Sequence, residues 1–174
     1  MAQSVELALD SEAEAALVSQ RDRLAAAGLA RPKRPEPYAH HLPHITLYAA
    51  DAIPEAAEPV LPDIVTGVNL SVHIGALMIF GPRKGECILV RQVAASVELL
   101  ELQQQVALAC GAAPTGQFGP GRWSPHVTLA RRVSSDLVGK AVQVLGSHGE
   151  LDATVQRCRR WDGRRRVAWW LTPA

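Results

Sequence analysis

Apolar and polar positions alternate in short runs along this chain, and longer stretches of helical spacing separate the runs. Val5, Leu7 and Leu9 alternate with Glu6 and Ala8, which predicts a first strand. Asp10 or Ser11 can cap a following helix, since Ser11-Glu12-Ala13-Glu14 has capping-box spacing. Its apolar stripe runs through Ala13, Leu17 and Leu24 to a stop at Gly28. Pro32, Pro35 and Pro37 then forbid regular structure and predict a stiff, exposed connector. His40 and His41 read as exposed loop residues beside it. Leu42-Pro43-His44-Ile45-Thr46-Leu47-Tyr48 reads as a second strand, and residues 51–66 as a short helix with irregular, proline-broken ends.

From Val68 the alternation is clean, with Leu70, Val72 and Ile74 on one face and Asn69, Ser71 and His73 on the other. A turn through Gly81–Gly85 and a return along Cys87–Val90 predict a hairpin. Leu99, Leu102, Val106 and Ala109 form a helical stripe ending at Gly111. A Gly- and Pro-rich loop leads into Pro125-His126-Val127-Thr128-Leu129, and Ser134-Ser135-Asp136 opens another helix. Leu151, Ala153 and Val155 predict a strand that returns, after a turn at Asp162-Gly163, along Val167, Trp169 and Leu171. Strand, helix and hairpin thus occur twice. The repeat predicts one domain over residues 1–174, built from two pseudo-symmetric halves with principal strands at 43–49 and 125–131. Its polar faces should meet, with Asn69, Ser71 and His73 opposite Asp152, Thr154 and Gln156.

Composition narrows the class without fixing it. Apolar residues make up 48% of the chain, ample for a packed interior, and the net charge of +1 gives no overall pull toward nucleic acid. Six arginines nevertheless crowd residues 150–174; at 157–166 they suit a solvated hairpin tip or a phosphate grip. Three widely spaced cysteines with no CxxC pair argue against a disulfide framework and a structural zinc site. The start leads straight into a strand rather than a signal peptide, and no apolar run nears the roughly 18–20 residues of a membrane span. A soluble, cytoplasmic monomer with no membrane contact and no obligate protein partner is expected.

The chemistry lies in a repeated phrase. Pro-His-Ile-Thr-Leu and Pro-His-Val-Thr-Leu set His44 and His126 82 residues apart. In a strand, alternate side chains share a face. His44 and Thr46, with Tyr48 beyond them, should therefore face one way, as should His126 and Thr128. An imidazole titrates near pH 6.5, so a facing pair can hold one neutral and one protonated ring, a general base and a general acid. The threonine hydroxyls can donate to oxyanions between them. A tetrahedral phosphate suits such a site, and the chemistry needs no metal or other cofactor.

These paired motifs resemble those of the 2H phosphoesterase superfamily, most closely its bacterial 2′-5′ RNA ligase, or RNA 2′,3′-cyclic phosphodiesterase, branch. The resemblance spans the whole chain in length, motif separation and order of elements. It implies an α+β, bilobal, duplicated fold, with two antiparallel sheets facing a central cleft and helices packed on the outside. It also implies metal-independent opening of 2′,3′-cyclic phosphates, usually to 2′-phosphates, on RNA ends or cyclic nucleotides. His44, Thr46, His126 and Thr128 carry over as the catalytic set. Arg131 matches a basic residue that follows the second motif, although alternation turns it off the His/Thr face. Tyr48 and His73 are further candidates for substrate contact. Two other readings stand beside this one: an RNA-end binding module without turnover, and a reversible 2′-5′ RNA ligase.

Overall fold

The computed structural model describes residues 2–30, 42–113, 115–146 and 150–172. The proline-rich connector with His40 and His41 lies outside the described residues.

Strand β1 (Gln3–Ala8) leads to Asp10, whose Oδ1 accepts the Ala13 amide at 2.9 Å and starts helix α1 (Ser11–Ala26). Ala13, Leu17 and Leu24 are buried as the stripe requires, and Gly28 takes the left-handed backbone (φ 73°) beyond the helix. Strand β2 (His44–Ala50) carries the first motif. A single 3₁₀ turn and the short helix α2 (Leu61–Val65) occupy the region with irregular, proline-broken ends. The long hairpin β3 (Leu70–Arg83) and β4 (Glu86–Val93) turns at Lys84 and Gly85. Helix α3 (Val97–Ala109) is capped by Ser96, whose hydroxyl accepts the Leu99 amide. Strand β5 (His126–Ser134) carries the second motif, and α4 (Val138–Leu145) follows a 3₁₀ turn. The chain closes with β6 (Leu151–Val155), β7 (Arg157–Asp162) and β8 (Val167–Trp170).

The fold is α+β. Its strands form one antiparallel sheet in the order β6-β3-β4-β5-β2-β1-β7-β8. The two expected sheets are present as four-stranded halves, β6-β3-β4-β5 and β2-β1-β7-β8. They join where the motif strands meet, through the single pair Ile45↔Val127. Helix α1 covers β5 and β6, and α3 covers β2. Ile45, Val127 and Leu7 are fully buried on this helix-covered side, and burial of such a side chain contributes roughly 1.5–3 kcal/mol each.

The hairpins are exchanged between the halves. The β3–β4 hairpin follows the first motif but pairs with β5, whereas β7–β8 follows the second motif but pairs with β1. Two expectations are corrected by this. Residues 151–162 are not one arm of a terminal hairpin. Leu151–Val155 pairs with β3, and after Gln156 the chain re-enters the sheet beside β1. One residue cannot span the six strand spacings that separate β6 from β7 in the sheet order, so the sheet curls until its halves adjoin there. Second, Ser71 and His73 do not face Thr154 and Asp152 across a cleft. They are their cross-strand neighbours, Ser71↔Thr154 and His73↔Asp152, in a single half. Asn69 and Gln156 likewise bond to each other, Nε2 to Oδ1 at 3.3 Å.

Among the described residues no helix is long and apolar enough to cross a membrane. Cys87, Cys110 and Cys158 are unbridged and buried.

Candidate active site

The pairing of Ile45 with Val127 sets the site. In an antiparallel pair, opposite residues share a face. This register places His44 opposite Thr128 and Thr46 opposite His126, on the face away from Ile45 and Val127. The four motif side chains thus occupy adjacent corners on one side of the sheet. The strands part on either side of that pair, and side chains satisfy the threonine carbonyls. Trp123 Nε1 donates to the Thr46 carbonyl at 3.1 Å, and Arg21 donates to the Thr128 carbonyl through Nε at 3.1 Å and Nη2 at 2.5 Å.

Both imidazoles are held in the same way. His44 Nδ1 lies 2.8 Å from the Leu42 carbonyl and His126 Nδ1 lies 2.7 Å from the Ser124 carbonyl. A carbonyl only accepts, so each Nδ1 carries a proton and donates it, and Nε2 is the nitrogen left for chemistry. The intervening Pro43 and Pro125 restrict the residue before them to extended backbone, which presents that carbonyl to the ring. Arg159 Nη2 also lies 3.4 Å from His44 Nδ1. The shorter carbonyl bond claims the Nδ1 proton, so that approach is one of charge and not a hydrogen bond.

The surroundings of the two rings differ. Glu6 Oε1 stands 3.5 Å from His44 Nε2, while Glu6 Oε2 accepts from Arg159 Nε at 2.9 Å and Oε1 accepts from the Ser4 hydroxyl at 2.6 Å. Glu6 and Arg159 are each only 4% exposed. His126 instead meets the Phe80 ring edge-on, with centroids 4.9 Å apart. Burial lowers the proton affinity of both histidines. At His44 the Glu6 charge opposes that fall, with Arg159 and Arg21 adding to it. At His126 the Ser124 carbonyl opposes it and Arg131 adds to it. Burial by itself would raise the Glu6 carboxyl; the charges of His44 and Arg159, together with the hydrogen bonds from Ser4 and Arg159, outweigh it and hold Glu6 below the ordinary carboxylate value.

The other expected residues fall elsewhere. Tyr48 does not share the face of His44 and Thr46. Glu6 pairs with Thr46 and Val5 with Tyr48, so Leu47 bulges and the alternation slips by one. Tyr48 is consequently buried beside Phe118, ring centroids 5.3 Å apart. His73 stands two strands from β5, exposed, its Nδ1 2.9 Å from Asp152 Oδ1. Arg131 is exposed on β5 and acts on His126 through charge. Of the six C-terminal arginines, only Arg164, Arg165 and Arg166 form the exposed tip. Arg160 is 1% exposed and binds Glu58, Gln3 and the Ser4 and Trp161 carbonyls. Arg157 lies 3.6 Å over the Trp170 ring.

Glu6 and Arg159 are the site residues that sequence reasoning missed. Glu6 is the one charged residue inside the apolar alternation of β1, which was the available signal; nothing local to Arg159 marks its partner. A cavity of about 260 Å³ opens beside Arg159, lined also by Ala8, Pro43, Arg157 and Trp170; none of the four motif side chains lines it. Among the described residues no three or more His, Cys, Asp and Glu side chains converge as a metal would require.

A duplicated His-x-Thr-Leu strand pair at the centre of an eight-stranded antiparallel sheet, with helices on one face, is the architecture of a 2H phosphoesterase. The chain belongs to the 2′-5′ RNA ligase superfamily, whose sequence profile matches residues 11–166. Its fold is similar to that of TT0787 of Thermus thermophilus, at 18% identity and a TM-score of 0.63, covering 98% of this chain and 95% of the other. It is similar to apo LigT of E. coli at 12% identity and a TM-score of 0.58, covering 97% and 92%. Kluyveromyces marxianus Usb1 is similar at 10% identity and a TM-score of 0.55, covering 98% and 97%. None of the curated protein sequences gives a significant match.

Proposed function

We propose that this protein is a metal-independent phosphodiesterase that opens 2′,3′-cyclic phosphates of RNA ends or nucleotides to 2′-phosphates. The observation that carries this reading is the matched pair of Nδ1–H···O=C bonds at His44 and His126 on adjoining strands. It leaves Nε2 of each ring for proton transfer, which is what two acid–base groups acting on one phosphate require. One imidazole takes a proton from water, whose oxygen attacks phosphorus in line. The P–O3′ bond breaks, and the other imidazole protonates O3′. The Thr46 and Thr128 hydroxyls donate to the non-bridging oxygens as charge gathers there.

Two further observations support the choice of substrate. The cavity beside Arg159, whose Nη2 lies 3.4 Å from His44 Nδ1, offers cationic and aromatic surface of the kind that holds a base and its phosphate. Solved complexes of E. coli LigT hold 3′-AMP and phosphate, ligands of the expected class.

The test uses purified protein in EDTA against 2′,3′-cyclic mononucleotides and oligonucleotides ending in a cyclic phosphate. Ring opening to a 2′-phosphate is expected at an unchanged rate with chelator. Activity lost to EDTA and restored by a divalent ion would overturn the metal-independent mechanism. Tight binding of RNA ends without any ring opening would make the chain a binding module.

A further inference from the structure

The two motif histidines match in tautomer, but different groups surround them. His44 Nε2 has the Glu6 carboxylate at 3.5 Å, and that carboxylate is itself anchored by Arg159 Nε at 2.9 Å and the Ser4 hydroxyl at 2.6 Å. Among the described residues no carboxylate pairs with His126; its ring has the Phe80 edge instead. Glu6 sits on β1, directly opposite Thr46 and two positions before Ala8, the cross-strand neighbour of His44. It approaches His44 from the adjacent strand on the side that carries the motif residues.

A buried carboxylate beside an imidazole favours the imidazolium, because the ion pair replaces hydration that burial removes. The other charges that act on His44, Arg159 on β7 and Arg21 on α1, both oppose that form. Glu6 is therefore the group that offsets them. We propose that Glu6 is a positioning residue that makes the two histidines unequal: it steadies the His44 ring in its protonated form. His44 then gives its Nε2 proton to the leaving O3′, and His126 takes one from the attacking water. The inference rests on the phosphodiesterase reading for its chemistry but not for its effect on His44. The step balances. The water O–P bond forms as P–O3′ breaks, one proton passes from water to His126, one passes from His44 to O3′, and exchange with solvent resets both rings.

The experiment has a spectroscopic arm and a kinetic arm. Imidazole nitrogen signals of His44 and His126, assigned with His44→Ala and His126→Ala, are titrated in the wild type, Glu6→Gln and the double variant Glu6→Gln/Arg159→Met. The double variant removes both buried charges and so guards against unfolding caused by breaking the Glu6–Arg159 ion pair from one side only. His44 should titrate at lower pH in Glu6→Gln and at an intermediate pH in the double variant, while His126 stays unmoved. Unchanged titration of His44 in both variants would overturn the proposal.

The kinetic arm compares 2′,3′-cyclic CMP with its 3′-bridging phosphorothiolate analogue, whose sulfur leaves as thiolate without needing a proton. Glu6→Gln should forfeit part of the roughly 10²–10⁴-fold that a general acid supplies on the oxygen ester, and little on the sulfur ester. Equal losses on both esters would refute the assignment of His44 as the acid. A wild-type protein that opens neither ester defeats the phosphodiesterase reading, while the titration still decides whether Glu6 governs His44.

Discussion

The carbonyl two residues before each motif histidine decides which nitrogen that histidine offers. His44 and His126 both spend Nδ1–H on it, at 2.8 and 2.7 Å, and present Nε2. Replacing either histidine by alanine should lower kcat by about 10²–10⁴-fold, since each removes one proton transfer. Thr46→Ala and Thr128→Ala should cost less, because water can replace one hydroxyl donor. Single-turnover kinetics on a cyclic nucleotide check this, and near-normal turnover by His44→Ala would discredit a two-histidine mechanism. Burial lowers the proton affinity of both rings relative to the ordinary 6.5. The limbs of kcat/KM against pH, which report the free enzyme, should accordingly lie below that value. The motif positions were legible in the sequence because a doubled pentapeptide on a strand fixes its own face. Tyr48 was misplaced because a bulge at Leu47 leaves no trace in alternation. Glu6 and Arg159 were illegible as a pair because the ion pair forms across β1 and β7, 153 residues apart.

Single elements were read well where local chemistry closes them, and poorly where pairing crosses the sheet. The cap on α1, the β3–β4 hairpin and the α3 stripe follow from neighbours in sequence. The break at Gln156 does not, because alternation runs through it and only strand pairing separates β6 from β7. Asp10 bridges these levels. Its Oδ1 caps α1 through the Ala13 amide, and its Oδ2 accepts the Thr154 amide at 2.5 Å, tying the end of β1 to β6. Asp10→Ala should therefore destabilise the protein by about 1–2 kcal/mol, a cap together with an orphaned amide. Asp10→Asn, which keeps one acceptor, should lose less. Urea unfolding measures both. Hydrogen bonds from those amides hold the Asp10 carboxyl below its ordinary 3.8. Its contribution is then complete above that pH and is lost as pH falls through the lower folded value. The acid dependence should be shallower in Asp10→Asn, and an unchanged acid profile would contradict the assigned role.

Exchange of hairpins governs the whole molecule. Neither the first nor the second motif strand finds its full sheet within its own half of the sequence, since β1 needs β7 and β4 needs β5. Residues 1–112 and 113–174 made separately should each lack a cooperative unfolding transition, and mixing them should restore one. Circular dichroism and thermal melts would show it, and a fragment that folds alone would disprove the dependence. The repeated motif was visible in the sequence, but the exchange was not, because both ways of joining the hairpins bury the same apolar faces. The exchange also imposes an order in time. Strand β1 is translated long before its outer neighbour β7, as Leu7 paired with Cys158 shows. That half of the sheet must wait until β7 is made, with one edge of β1 open. Nascent chains stalled before β7 are thus the ones with most to gain from a chaperone.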